Sequence, residues 1–131
     1  MRDGVRVGVV GTSWWADAMY LPAVTKHPLA DVRAVVGRRA EHTREFATRW
    51  SIPGVYETVD QMLDREQLDA LLVLTPNNNH RGSVMKGLER GLHILCEKPL
   101  GMSAREAREM TEAAERAGVT TMTSFTYRFT G

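Results

Sequence analysis

The chain has 131 residues, enough for one domain with its own core. Its net charge of +1 argues against a broad polyanion-binding surface, and no apolar run is long enough to cross a membrane. The single cysteine, Cys96, excludes an internal disulfide framework and suits a reducing, cytoplasmic compartment. The N-terminal Met-Arg-Asp-Gly is expected to lead straight into a strand, with no room for a signal peptide.

Val5 to Val10 reads as a buried strand of small and β-branched residues. Gly11 breaks the run, and Thr12 and Ser13 lead into a helix from Trp14 to Tyr20. From Gly11 the pattern G-x-S-x-x-A is a variant of the dinucleotide fingerprint G-x-G-x-x-G/A. A helix starting there aims unpaired N–H groups and the positive end of its dipole at a phosphate. Ser13 stands where the second glycine would be, so a close backbone approach is tighter there. Pro22 suggests a separate helical stretch from Ala23 to Lys26, stopped by Pro28. Asp31 to Gly37 is a second strand, and Ala40 to Trp50 a helix with Phe46, Ala47 and Trp50 on one face. Val55 and Tyr56 suggest a short third strand, followed by a helix that opens on a Thr58–Gln61 capping box. Asp69 to Leu74 is a continuous apolar strand, as expected when both faces are covered. His80 to Arg90 is a helix ended by Gly91, and Leu92 to Cys96 the next strand. Ser103 and Glu106 open a helix that runs to Gly118, and Val119 to Phe125 is the last strand. Strands alternating with helices predict a doubly wound α/β domain with a largely parallel sheet in the order 3-2-1-4-5-6.

Ligands of such a sheet bind outside the carboxyl ends of the strands. Those ends read Gly11-Thr12-Ser13, Gly37-Arg38-Arg39, Thr75-Pro76-Asn77 and Glu97-Lys98-Pro99. After the second strand, an acidic residue would bind an adenosine ribose; Gly37 holds that place, and two arginines follow. The pattern leans towards NADP, with NAD possible, against the plainer view of two solvated loop charges. Asn77 to Asn79 either cap the next helix or, with Pro76, form the floor under the nicotinamide half; His80 either joins them or merely opens the helix. Of Trp14 and Trp15, at least one is expected to pack in the core, while the other covers the cofactor or substrate face. Lys98 is the sharpest single candidate, because a partly desolvated lysine at a strand end exchanges a proton readily and Glu97 can hold or neutralise it. The plainer alternative is a surface lysine paired with its neighbour. His27, His42 and His93 lie on separate segments, so no metal site is expected.

These stretches resemble the nucleotide-binding domain of the Gfo/Idh/MocA oxidoreductases: V-G-V-V-G-T-S at Val7 to Ser13, L-T-P-N at Leu74 to Asn77 with His80, C-E-K-P at Cys96 to Pro99, and Y-R-F at Tyr127 to Phe129. The resemblance implies a Rossmann fold over residues 1–125, with 126–131 beginning a second, substrate-binding domain. It implies hydride transfer between NAD(P) and a sugar, cyclitol or related alcohol, with Lys98 relaying the hydroxyl proton and a Lys98–Pro99 peptide that is cis. Gly11, Thr12, Ser13, Trp14, Trp15, Gly37, Arg38, Arg39, Thr75, Pro76, Asn77, His80, Glu97 and Lys98 are the candidate cofactor contacts. The expected partners are a sugar or polyol and a second copy of the chain, met through the exposed C-terminal strand or the second domain, with neither nucleic acid nor membrane. By itself the chain is expected to bind a dinucleotide without turnover. A non-catalytic NAD(P)-binding sensor or regulatory module is the alternative, and a ligand-free structural domain a weaker one.

Overall fold

The computed structural model describes residues 4–131. The expectation about Met1 to Asp3 lies outside the described residues. Six strands, β1 (Val5–Val10), β2 (Ala30–Val36), β3 (Gly54–Tyr56), β4 (Ala70–Val73), β5 (His93–Glu97) and β6 (Thr121–Ser124), form one sheet. Its order is β3-β2-β1-β4-β5-β6, and every neighbouring pair is parallel, as the alternation of elements predicts.

Strand alternation divides the core into two layers. Val7, Val9, Val35 and Leu72 face one side of the sheet, where they meet Leu21 and Phe46. Val10, Val36, Leu71, Val73 and Ile94 face the other, against Met62, Leu88 and Met110. The covering helices are α1 (Leu21–Val24) and α2 (Ala40–Trp50) on the first face, and α3 (Val59–Arg65), α4 (His80–Glu89) and α5 (Ala104–Ala117) on the second. Burial on both sides explains why β4 is apolar without interruption. Capping residues set the helix limits: Thr58 and Ser103 accept from the backbone N–H of Gln61 and Glu106, and Gly118 ends α5 at φ +65°.

The first helix departs from the sequence reading. No break separates Tyr20 from Pro22. A π-helical turn, Ala16–Tyr20, runs directly into α1, and Leu21 donates its N–H to the carbonyl of Ala16. A turn widened by one residue accommodates a proline that has no N–H to donate. The last strand is also shorter than Val119 to Phe125. It pairs with β5 only from Thr121 to Ser124, and Thr126–Phe129 follows as a 3₁₀ turn. Beyond Glu97 the partner strand reaches Pro99, which cannot extend a ladder.

β2 lies on one side of β1 and β4 on the other, so the connections leaving β1 and β4 run to opposite halves of the sheet. A crevice therefore opens at the carboxyl ends of β1 and β4.

Candidate functional site

The crevice is a cleft of about 570 Å³. Gly11, Thr12 and Ser13 form its floor after β1; Gly37, Arg38 and Arg39 form one wall after β2; Thr75 and Pro76 form the opposite wall after β4. Eight of the predicted contacts thus come together on one surface.

Gly11 has φ +110°, and a Cβ there would sit 2.8 Å from the backbone of Leu74. Only glycine lets β1 turn this close to the end of β4. Its own N–H donates to Val36 O at 2.9 Å, whereas the amides of Thr12 and Ser13 have no partner among the described residues. Ser13 Oγ accepts from Ala16 N–H at 3.3 Å, capping the helix that starts there, and the hydroxyl proton remains available. With serine in place of the second glycine, the helix start still has its Thr12 and Ser13 N–H groups open. Ala16, the last residue of the fingerprint, is fully buried against the sheet.

Gly37 is required for a different reason. A Cβ there would lie 2.1 Å from Thr43 Oγ1 and 3.0 Å from Thr12. Thr43 is itself fixed, since its hydroxyl donates to Arg39 O at 2.8 Å. The side chains packed over Gly37 leave no space for a carboxylate at the end of β2. Arg38 and Arg39 are exposed beside it and make no ion pair among the described residues. Across the cleft, Thr75 Oγ1 is buried with no hydrogen-bond partner. An orphaned hydroxyl, two unpartnered amides and two free guanidinium groups around one cleft fit a bound dinucleotide phosphate.

The remaining predicted residues do not line this cleft. His80 is 0% exposed, and its ring nitrogens lie 2.8 Å from Pro99 O and Thr75 O. With both nitrogens occupied it offers a ligand no ring contact; it is a strut that ties the loop after β5 to the cleft wall. Asn77 opens a 3₁₀ turn, Asn77–Asn79, and its neighbours Asn78 and Asn79 are the cleft residues. Trp15 donates its indole N–H to Glu97 Oε1 at 2.9 Å, while Trp14 is 73% exposed, so neither fills the core. Glu97 is buried and its carboxylate is taken up by Trp15, Tyr20 and the Lys98 amide. It does not hold the Lys98 amine. Lys98 itself is exposed and has no side-chain partner among the described residues, so the expected partial burial is not supplied by the chain. The Lys98–Pro99 peptide is cis.

Sequence reasoning missed His42, Ser83 and Lys86 on the cleft rim. His42 Nε2 lies 2.8 Å from Thr12 O and braces the glycine-rich turn from α2. Its place in the first turn of the helix after the Gly37–Arg39 loop was the available signal. Lys86 reaches Asp60 at 2.5 Å across α4 and α3, a pairing that no local pattern announces. Among the described residues no cluster of three or more His, Cys, Asp or Glu is placed to hold a metal ion. Nor is any of their helices long and apolar enough to cross a membrane.

A doubly wound parallel sheet with a glycine-dependent, anion-receptive turn at its switch point defines a dinucleotide-binding domain. The Gfo/Idh/MocA family model, described as an oxidoreductase family with an NAD-binding Rossmann fold, matches residues 5–125, and the chain belongs to that family. It is 36% identical over 124 residues to D-xylose 1-dehydrogenase (NADP(+)) 2 of Haloferax volcanii, covering 93% of this chain and 37% of that protein. It is 30% identical over 118 residues to scyllo-inositol 2-dehydrogenase (NADP(+)) of Bacillus subtilis, covering 90% of this chain and 36% of the relative. Among solved structures, a 3-ketoreductase from Actinomadura kijaniata in complex with NADP superposes with a TM-score of 0.87 at 31% identity, covering 93% of this chain and 39% of that one. The chain thus spans well under half the length of these relatives. The sensor alternative gains no support from them.

Proposed function

We propose that the chain is the cofactor-binding part of an NADP-preferring oxidoreductase acting on a sugar, cyclitol or related alcohol. The observation that carries this reading is the end of β2, where packing leaves no room for an acid at Gly37 and two unpaired arginines follow. An acid there would bind the ribose of NAD and repel a 2′-phosphate; arginine forks bind that phosphate. The NADP named for the relatives points the same way.

In the proposed arrangement, Thr12 and Ser13 hold the pyrophosphate, Arg38 and Arg39 the 2′-phosphate, and Thr75 and Pro76 the nicotinamide half. When bound, the nicotinamide supplies the hydride acceptor or donor. The chain's own chemical contribution is the proton: Lys98 Nζ takes it from the substrate hydroxyl during oxidation and returns it during reduction. His80 keeps the Lys98–Pro99 loop beside the Thr75 wall through its two carbonyl contacts. Trp14 and the aromatic residues Phe125, Tyr127 and Phe129 are exposed, and the last three are the surface that a following domain or a second copy would cover. With Lys98 open to water and no group held opposite it, the chain alone binds cofactor without enzyme-like turnover. The free, buried Cys96 is consistent with a cytoplasmic setting.

Calorimetric titration tests the reading. NADP binds the unaltered chain more tightly than NAD, and Arg38→Ala narrows the gap by about 1.5–3 kcal/mol, the range for a hydrogen bond to a charged group. Equal or tighter binding of NAD by the unaltered chain would contradict it.

A further inference from the structure

Glu97, the last residue of β5, is 7% exposed, and a buried carboxylate is costly unless its oxygens are met by donors. They are met without a cation. Oε1 accepts from the Trp15 indole at 2.9 Å and from the Tyr20 hydroxyl, and Oε2 accepts from the Lys98 backbone N–H at 3.1 Å. The Tyr20 oxygen also lies 2.5 Å from Ser124 Oγ, at the end of β6. Tyr20 has one proton. With that proton given to the carboxylate, its oxygen accepts from the Ser124 hydroxyl. Burial, and then the bond to Glu97, push the Tyr20 phenol up to about 12, so it remains a donor throughout the neutral range. Trp15 and Tyr20 both stand on the helix that begins at the glycine-rich turn. One carboxylate therefore joins that helix, the end of β5 and the end of β6.

We propose that Tyr20, together with Trp15, is a positioning residue for Lys98: it fixes the Glu97 carboxylate, which holds the Lys98 backbone in register with the helix of the glycine-rich turn. The importance of this tie for catalysis rests on the reading of Lys98 as the proton-carrying group; the tie itself is measured without turnover. A carboxylate is needed at this place. A glutamine has one acceptor oxygen for donors on two sides, and its amide would point a hydrogen at the indole and phenol or at the Lys98 N–H.

Nitrogen-15 NMR of the 131-residue chain tests the proposal, because its three tryptophans give three indole signals. In Tyr20→Phe, the Lys98 amide exchanges about tenfold faster, as for the loss of one bond to a charged group, and the Trp15 indole signal moves. The amides of Val9 and Leu72 in the central strands do not change. Glu97→Gln has the larger effect on both signals. Ser124→Ala, which removes only the outermost donor, speeds Lys98 exchange in the same direction by a smaller factor and carries the test if either other variant fails to fold. Unchanged Lys98 exchange in the folded variants, or faster exchange spread equally over Val9 and Leu72, would overturn the proposal. A different result would remove the catalytic reading: full turnover by the whole enzyme carrying Lys98→Met, with the NMR outcome unaffected.

Discussion

A methyl group at Gly37 would meet Thr43 Oγ1 at 2.1 Å, while one at Gly11 would meet backbone atoms of Leu74 at 2.8 Å. The two glycines therefore respond differently to substitution. At Gly37 the obstacle is a side chain, so Gly37→Asp displaces Thr43, lowers stability by about 1–3 kcal/mol as overpacking does, and fails to create an NAD-preferring site. Urea denaturation and titration with both cofactors check the two parts. At Gly11 the obstacle is the main chain and φ is positive, so Gly11→Ala distorts the turn itself and abolishes dinucleotide binding, as read by calorimetry. Cys96 is a third case. Burial and then the Glu97 charge push its thiol up to about 12, and it is fully enclosed, so it should resist alkylation in the folded chain and react once urea unfolds it. At this scale the sequence showed residue types at strand ends, hence Gly11, Arg38 and Lys98. It did not show His80 spanning two carbonyls or Glu97 turned away from the Lys98 amine, because both depend on contacts between loops far apart in the chain.

The helix after the glycine-rich turn is held by partners from two other elements. Tyr20 and Trp15 reach Glu97, while Asp17 accepts from the Trp50 indole and from Arg49, both at 2.7 Å, at the end of α2. The indole bond, and then the Arg49 contacts, hold the Asp17 carboxyl below the usual carboxylate range. A lowered folded pKa contributes stability that is complete above the unfolded value and is lost as pH falls through the folded one. Asp17→Asn should therefore lower the thermal midpoint near neutral pH, with the difference from the parent chain shrinking as pH falls below the ordinary aspartate value. Thermal melts across that range decide it; a difference that stays constant with pH would remove the charge from the explanation. Capping boxes and closing glycines made α3 and α5 legible, since those signals lie within a few residues. The π-helical turn was not legible, because Pro22 reads as the opening of a separate helical stretch until the sheet beneath is known to hold the helix in place.

For the molecule as a whole, alternating strands and helices were enough to give the sheet order, because parallel pairing with right-handed crossovers leaves few arrangements. Eight of the predicted contacts gather in the cleft for the same reason, since strand ends meet wherever the order of connection reverses. Trp15 and Glu97 lie outside it, joined to each other, a pairing that the linear order of residues does not reveal. The Tyr20 phenol and the Cys96 thiol, both pushed up by burial, contribute to the fold's alkaline sensitivity. The folded Tyr20 pKa of about 12 stands above the ordinary value of 10.0, so its contribution to stability is complete below the ordinary value and is lost as pH rises through the folded one. In Tyr20→Phe the urea midpoint should fall less steeply over that interval than in the parent chain.

In the proposed arrangement, one cleft binds NADP with its phosphates at the glycine-rich turn and its reactive end towards Lys98. Titrating the isotopically labelled chain with NADP, and separately with NAD, tests it most directly by mapping amide signals. Saturable shifts are expected at Gly11 to Ser13, at Arg38 and Arg39 with NADP but much less with NAD, and at Thr75 and Lys98 with both. Shifts confined to other surfaces, or no saturable shift with either dinucleotide, would contradict it.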